Sequence, residues 1–288
     1  MSELAAPAVP AISRADRRER LARAPSLAPE TLDRLAQQHP NAETELHYRS
    51  PFELIVSVVL SAQTTDVGVN KATPKLFAKF PDAAALAAAE PIEVEPYVAT
   101  LGFFRMKAKS IVGLARALVE RYGGEVPQTM SELVKLPGVG RKTANVVLGV
   151  LWNKPEGVVV DTHVIRLSQR LGWTKHRDPE KIELDLCAIL PRPEWDHAAH
   201  VLIFHGRRVC FARKPACAEC RAQDVCPAAF DAEHVGRKSL AGPSMPPAAK
   251  KRGKSSAASA KEKRPSAASA KAGNNKKRKK PASKRGRV

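Results

Sequence analysis

Apolar residues recur at helical spacing through most of residues 27–205, and this periodicity predicts the architecture. One buried helix face is marked by apolar positions at i, i+3, i+4 and i+7, namely Ala144, Val147, Leu148 and Leu151. Similar patterns predict further helices within residues 27–47, 52–62, 67–80, 111–118, 162–171, 178–190 and 194–205. No alternating pattern predicts a strand, because the apolar run at residues 158–160 is too short to found a sheet. We therefore predict an all-α fold.

The segment at residues 52–62 is apolar almost all the way round, so it is expected to lie inside a helical bundle. Ser50 can cap its N-terminus, Pro51 suits the first helical position, and Glu53 would complete a capping box. Asp66 is placed to cap the helix that follows.

A tight turn separates two predicted helices at residues 136–145, which read LPGVGRKTAN. Pro137 sets φ for the second position of a turn, and Gly138 supplies the positive φ that the third position of a type II turn needs. The helix after the turn begins with free N–H groups beside Gly138 and Gly140, which suits an anion such as phosphate. An ordinary hairpin of two helices is the alternative interpretation of the turn alone.

Two residues near this turn could carry chemistry. Lys142 follows the turn at once, and Asp161 lies directly before a predicted helix that starts at Thr162. A lysine that is neutral part of the time is a nucleophile, and a carboxylate stabilises a sugar that develops positive charge. The structural alternative for Asp161 is a helix N-cap. The residues alone thus indicate a phosphate-binding turn and a candidate amine nucleophile beside a carboxylate, and leave the substrate open.

The chain has 288 residues and a net charge of +19, but the charge is concentrated at one end. Residues 238–288 hold 17 Lys and Arg against the single acid Glu262, a net of +16, so residues 1–237 carry only +3. The Lys/Ala/Ser-rich segment 236–288 is therefore expected to be disordered and to bind nucleic acid non-specifically, with a nuclear import signal as the alternative in a eukaryote. Any DNA-binding face on the nearly neutral body must be local.

No stretch is apolar for long enough to span a bilayer, so we expect no membrane association. Residues 1–26 are rich in Ala, Pro and Arg without the apolar core of a secretory signal, and are expected to form a disordered leader, with a transit peptide as the alternative. The expected location is the cytoplasm, with nucleoid association, in a bacterium, or the nucleus or mitochondrion in a eukaryote. A monomer is expected.

Four of the five cysteines lie within seventeen residues, at 6-2-5 spacing: Cys210, Cys217, Cys220 and Cys226. In a chain that is not secreted, such a cluster indicates a metal site rather than disulfides. The single short pair leaves both Zn²⁺ and a [4Fe–4S] cluster open. Arg213 and Lys214, within the first arm, would offer cations to phosphate or offset the thiolate charge.

Residues 50–227 resemble the endonuclease III family of DNA repair glycosylases. The resemblance rests on SPFEL at 50–54, LSAQTTD at 60–66, the segment 136–146, VDTH at 160–163 and the cysteine spacing. It implies a two-lobed helix-hairpin-helix fold, with a leader at 1–26, an N-terminal helix of the cluster lobe at 27–47, a six-helix barrel at 48–153, the rest of the cluster lobe at 154–230 and the tail at 236–288. It also favours a [4Fe–4S] cluster on the four cysteines.

The resemblance implies a bifunctional glycosylase and abasic-site lyase of base excision repair. An oxidised pyrimidine would be flipped out of double-stranded DNA, Lys142 would attack C1′ and form a Schiff base, and β-elimination would cut the strand 3′ to the lesion. Asp161 would stabilise the sugar, while a dry pocket and the neighbouring Arg141 would lower the pKa of Lys142.

The resemblance also assigns DNA contacts. Gln63 would fill the space of the flipped nucleotide and Phe103 would be an apolar wedge, with Phe104 partly buried. Further contacts are expected at Gly138, Gly140, Arg141, Thr143, His163, Arg213 and Lys214. The alternatives are a uracil or thymine-mismatch glycosylase of this fold, a monofunctional adenine-mismatch relative, which would lack Lys142, and a non-catalytic DNA-binding or nucleoid protein.

Overall fold

The computed structural model describes residues 12–235, so the predicted basic tail and the first eleven residues lie outside the described part. The described residues form helices and no strand, which confirms the all-α fold class. The α-helices are α1 (Arg14–Arg23), α2 (Ala28–Gln38), α3 (Pro51–Leu60), α4 (Asp66–Lys79), α5 (Ala83–Ala87), α6 (Pro91–Val98), α7 (Phe104–Tyr122), α8 (Met130–Leu133), α9 (Arg141–Trp152), α10 (Thr162–Arg170), α11 (Pro179–Ile189) and α12 (Trp195–Arg208). None of them is long and apolar enough to cross a membrane.

One hydrophobic core is built around α3. Its residues from Phe52 to Leu60 are all buried, as the apolar segment predicted, and α3 packs against α4, α7 and α9. Other buried side chains of this core come from α4 to α9, from Val69 to Leu148. Because α3 is enclosed by its neighbours, the loop that follows it is held in a fixed place at the edge of the core.

A second hydrophobic core combines chain segments that are far apart in sequence. It contains buried residues of α2, such as Leu32 and Leu35, together with residues of α10, α11 and α12. Buried alanines from 222 to 232 close it beside the cysteines. Val146 and α9 meet both cores, so the helix that carries Lys142 lies where the two cores adjoin.

The disorder expected through residue 26 is wrong for α1. Ser13 caps this helix by accepting a hydrogen bond from the backbone N–H of Asp16. Arg20 donates to the carbonyls of Gln223, at 2.8 Å, and Cys226, at 3.2 Å, and Arg17 pairs with Asp231 at 2.7 Å. These partners lie more than two hundred residues away, so no local pattern could have indicated them.

Two predicted helix starts differ in detail from the structure. Ser50 does cap α3, but the carboxylate of Glu53 accepts from the backbone N–H of Arg49, at 2.7 Å, so the reciprocal capping box is not formed. Thr65, not Asp66, caps α4. Asp66 instead accepts a hydrogen bond from Arg207 of α12 at 2.9 Å, because the second core brings that guanidinium to the start of α4.

Candidate active site

The predicted type II turn is present. The N–H of Val139 donates to the carbonyl of Leu136 at 3.1 Å, and Gly138 has a φ of +77°. A Cβ on Gly138 would lie 3.1 Å from Cβ of Ser110 and 3.3 Å from Cγ1 of Val59. Gly138 is therefore required both by its backbone conformation and by the close approach of two neighbouring side chains.

The N-terminus of α9 offers unpaired N–H groups. Gly140 is its N-cap residue, and no side chain caps the helix. The first intrahelical bond is made by the N–H of Ala144 to the carbonyl of Gly140, which leaves the preceding three N–H groups without a helical partner. A Cβ on Gly140 would meet nothing within 4 Å, so the approach to these groups is open. This arrangement fits an anion such as a backbone phosphate.

Lys142 and Asp161 line the same cavity, which has a volume of about 360 Å³. Gln63 and Thr143 also line this cavity, and so do residues of α12, including His200 and Arg207. The cavity therefore collects side chains from the loop after α3, from the start of α9 and from the start of α10. It is large enough for a pyrimidine base together with part of its sugar.

The ammonium of Lys142 is held by one hydrogen bond beside this cavity. Its Nζ donates a hydrogen bond to the carbonyl of Val160 at 3.1 Å. Loss of hydration lowers the pKa of Lys142, and the charge of Asp161 acts in the opposite direction. The side chain as a whole stays open to the cavity, so a substrate can reach a lysine that loses its proton more readily than a fully hydrated one.

Arg141 does not cause this shift, contrary to the sequence-based expectation. Its guanidinium pairs with Glu183 of α11 at 3.0 Å and approaches the carboxylate of Glu156 at 4.0 Å. The lowered pKa of Lys142 follows from lost hydration and not from a neighbouring cation. Arg141 links the start of α9 to α11.

Asp161 has the structural role that the sequence suggested for it, as the N-cap of α10. Its Oδ1 accepts the backbone N–H groups of His163 and Val164, each at 2.8 Å, and so caps α10. Oδ2 accepts no hydrogen bond from the described residues, although the side chain lines the cavity. The cap fixes the orientation of the carboxylate and leaves one oxygen available to a substrate.

Gln63 and Phe103 both have left-handed backbone conformations, with φ of 55° and 57°. Such conformations cost about 1–3 kcal/mol for residues other than glycine and cluster at functional sites. Phe103 is 68% exposed, whereas Phe104 is partly buried against the first core, as expected. The structure thus presents a large apolar side chain to solvent from a constrained backbone.

The remaining predicted contacts fall into two groups. Arg213 and Lys214 are exposed in the loop between the first two clustered cysteines, and Lys214 has a φ of +50°. His163 is half-buried, and its Nδ1 lies 3.1 Å from the guanidinium of Arg166. His163 is not among the residues that line the cavity containing Lys142.

The four clustered cysteines line one apolar cavity between α10, α12 and the C-terminal turns. No three His, Cys, Asp or Glu side chains among residues 12–235 are arranged to hold a single metal ion. Two groups donate toward the sulfurs, Arg170 to Cys210 at 3.2 Å and the N–H of Ala222 to Cys220 at 3.4 Å, and Nε2 of His205 lies 3.4 Å from the sulfur of Cys220. Hydrogen bonds of this kind are typical of thiolates that hold an iron–sulfur cluster.

Sequence patterns did not single out two arginines that shape the site. Arg170, only 1% exposed, also donates to the carbonyls of Phe211 and Ala212, at 2.7 and 3.0 Å, and so holds the cysteine loop. Arg207 binds both Asp66 and Glu45 at the mouth of the cavity that contains Lys142. Its partners lie 141 and 162 positions earlier in the chain, so no local spacing marks them.

Comparison with known proteins identifies the class that this fold and site define. Residues 56–192 match the model of the HhH-GPD superfamily base excision DNA repair proteins. An endonuclease III of Synechocystis sp. is 52% identical over 202 residues, which is 70% of this chain and 92% of that protein. The endonuclease III of Escherichia coli (strain K12) is 43% identical over 197 residues, 68% of this chain and 93% of that protein.

Solved structures agree with these relatives. A structure of a trapped endonuclease III–DNA covalent intermediate has 44% sequence identity and a TM-score of 0.65, and the match covers 68% of this chain and 92% of that chain. A structure of a non-covalent endonuclease III–DNA complex has 43% identity and the same TM-score and coverage. The chain belongs to the endonuclease III family, as its motifs indicated. It is a DNA glycosylase of base excision repair, and abasic-site lyase activity is characteristic of this family.

Proposed function

We propose that this chain removes oxidised pyrimidines from double-stranded DNA with Lys142 as the nucleophile and then cleaves the strand. The observation that carries the proposal is the cavity shared by Lys142, with its lowered pKa, and the half-satisfied carboxylate of Asp161. A passive DNA-binding protein needs neither a lysine of lowered pKa nor an oriented carboxylate. A glycosylase that forms a Schiff base needs both.

The proposed reaction begins with the neutral amine of Lys142. Its lone pair attacks C1′ of the deoxyribose, the C1′–N bond breaks, and the base leaves with the electron pair and takes up a proton. As the sugar develops positive charge, Oδ2 of Asp161 stabilises it. Ring opening gives an imine between Nζ and C1′. Loss of a proton from C2′ then expels the 3′ phosphate by β-elimination.

The same surfaces would hold the DNA. The N–H groups at the start of α9, beside Gly138 and Gly140, would accept a backbone phosphate. Gln63 borders the cavity and would fill the gap left by the flipped nucleotide, while the exposed ring of Phe103 would unstack a neighbouring base. Thr143, Arg213 and Lys214 would add contacts to the backbone.

We also propose that Cys210, Cys217, Cys220 and Cys226 hold a [4Fe–4S] cluster. Four thiols that line one apolar cavity can all bind the same group, and four cysteine thiolates are the usual ligands of a [4Fe–4S] cluster. The cluster would supply a rigid cross-link for the loop that presents Arg213 and Lys214. Brown protein with iron absorbance would support this assignment, and colourless protein that contains zinc would refute it.

The activity is tested with duplexes that each carry one defined lesion, assayed with and without borohydride. We expect cleavage and a covalent protein–DNA product for oxidised pyrimidines and for an abasic site. Uracil, a thymine mismatch and undamaged DNA serve as the comparison arms. Activity confined to uracil or to the thymine mismatch would overturn the proposed substrate class, and no borohydride-dependent product on any duplex would overturn the Schiff-base chemistry.

A further inference from the structure

Two segments that each contain a residue with left-handed backbone are hydrogen-bonded to a single buried lysine. Gln63, with a φ of 55°, belongs to the loop after α3, and Phe103, with a φ of 57° and a ψ of 33°, precedes α7. Neither is glycine, so neighbouring structure must hold each conformation. The two segments are forty residues apart in the sequence and need a connection if they are to act together.

Lys107 provides that connection. The side chain is buried, with 6% exposure, and its Nζ donates a hydrogen bond to Oγ1 of Thr64, the residue after Gln63. The backbone N–H of Lys107 donates to the carbonyl of Phe103 at 3.0 Å, in the first turn of α7. One residue therefore contacts both the segment that carries Gln63 and the segment that carries Phe103.

Lys107 is an unfavourable choice for stability alone. Burial lowers its pKa, and no carboxylate among the described residues pairs with it. Its only side-chain partner in the described part of the chain is the hydroxyl of Thr64, which lies just beyond the C-terminus of α3. A buried ammonium with so few partners costs free energy that an apolar side chain of the same length would avoid. Such departures from good packing chemistry are expected where function requires them.

We propose that Lys107 is a positioning residue that locks the Gln63 loop to the Phe103 segment, so that both enter a DNA duplex as one unit. This inference rests on the proposed function, because Gln63 and Phe103 matter only if a nucleotide is flipped out. The hydrogen bond to Thr64 fixes the loop after α3, and the first turn of α7 fixes Phe103. Lys107 touches no reacting atom, so it acts on duplex opening and not on the chemistry at C1′.

The test compares Lys107→Met with wild type on two substrates. A lesion in duplex DNA requires nucleotide flipping, whereas an abasic site in single-stranded DNA does not. We expect the ratio of kcat/KM on the duplex to that on the single strand to fall at least tenfold. The fluorescence of 2-aminopurine placed opposite the lesion should show less unstacking, while the melting temperature stays equal or rises because a desolvated ammonium has been removed.

Matched variants isolate the hydrogen bond. Thr64→Val removes the acceptor and should lower the same ratio of kcat/KM, whereas Thr64→Ser keeps the hydroxyl and should leave the ratio unchanged. The double variant Lys107→Met with Thr64→Val should lower the ratio no further than either single variant does. Lys109, exposed on the same helix, gives the control Lys109→Met for loss of positive charge.

An unchanged ratio in Lys107→Met, a loss that simply follows a lower melting temperature, or an equal loss in Lys109→Met would overturn the inference. Wild-type protein that cleaves neither substrate would instead refute the proposed function, so the two failures are distinguishable.

Discussion

The ammonium of Lys142 donates a hydrogen bond to the carbonyl of Val160 at 3.1 Å, and Val160 directly precedes Asp161. The proposed nucleophile on α9 is thus tethered to the backbone that leads into the carboxylate at the start of α10. Because Oδ1 of Asp161 is fixed by the cap of α10, the relative position of amine and carboxylate follows from two helix starts and one hydrogen bond. The charge of Asp161 is therefore close enough to the amine to raise the pKa of Lys142.

The pH dependence of the proposed reaction should show this effect of Asp161 on Lys142. The amine attacks only when neutral, so the rate rises with pH, and the lowered pKa of Lys142 places this rise below the range of an ordinary lysine. The negative charge of Asp161 raises the pKa of Lys142, so Asp161→Asn should move the rising limb to lower pH. The plateau rate should fall by about 100-fold or more, because the sugar loses its counter-charge. Single-turnover rates from pH 5 to 10 measure both effects.

The cap provides the control for Asp161. Asparagine is as good an N-cap as aspartate, so Asp161→Asn should leave the free energy of unfolding nearly unchanged, whereas Asp161→Ala should cost about 1 kcal/mol. Both variants should lose base removal. An Asp161→Asn variant with normal turnover would reduce Asp161 to a capping residue.

The two glycines of the hairpin should respond differently to alanine. In Gly138→Ala, the alanine must adopt a φ of +77°, and its Cβ would lie close to Ser110. The variant should therefore lose about 1–3 kcal/mol of stability. Gly140 has a φ of −87° and free space around it, so Gly140→Ala should cost no more than about 1 kcal/mol. Its methyl group would nevertheless obstruct the N–H groups at the start of α9, and DNA affinity should fall about tenfold. Chemical unfolding measures the change in stability, and binding titrations measure the change in DNA affinity. Full DNA affinity in Gly140→Ala would show that no phosphate binds at the start of α9.

Asp196 and His200 of α12 form a half-buried pair, with 3.7 Å between His200 Nε2 and an Asp196 carboxylate oxygen. Burial raises the pKa of Asp196 to about 6 and lowers that of His200 to about 4. Asp196 thus stabilises the fold below its unfolded pKa of 3.8, and this contribution is lost as the pH rises to about 6. His200 acts oppositely: its contribution is present above 6.5 and is lost as the pH falls to about 4. The two dependences offset each other in the wild-type protein.

Single substitutions should reveal each dependence. The free energy of unfolding of Asp196→Asn, relative to that of wild type, should increase as the pH rises from 4 to 7. The free energy of unfolding of His200→Gln, relative to that of wild type, should increase as the pH falls from 7 to 4. Each difference has an upper limit of about 3 kcal/mol, from about 1.4 kcal/mol per pKa unit. Urea unfolding at pH 4, 5, 6 and 7 measures the two slopes, and slopes of the same sign would contradict the assignment.

The helix α1 should protect the proposed cluster. Arg20 binds the carbonyls of Gln223 and Cys226, so Arg20→Ala frees the end of the cysteine loop. In the presence of a chelator, we expect Arg20→Ala to lose the visible absorbance of the proposed cluster several-fold faster than wild type. Arg18, exposed on the same helix, supplies the matched control Arg18→Ala. Equal rates of loss in the two variants would show that α1 does not hold the loop.

Local sequence patterns predicted much of this molecule because the relevant forces are local. Periodic apolar residues predicted the helices. Pro137 and Gly138 predicted the turn, because the φ angles of these two central residues set its type. The sequence also indicated that Lys142 and Asp161 belong to one site, and the family resemblance added Gln63.

Long-range partners could not be predicted in this way. The residues of α1 are mostly polar, and the helix is anchored by carbonyls near Cys226. Arg141 turned out to bind Glu183, forty-two positions later, and not to act on its neighbour Lys142. The partnership of Lys107 with Thr64 likewise depends on how α7 packs beside α3, which no local spacing encodes.

The identity of the nucleophile is tested most directly by trapping with borohydride on a duplex that carries an abasic site, followed by mass spectrometry of the adduct peptides. We predict a reduced sugar adduct on Nζ of Lys142 and no trapped complex with Lys142→Ala. An adduct on any other residue, or an undiminished complex in Lys142→Ala, would contradict the assignment of Lys142 as the nucleophile.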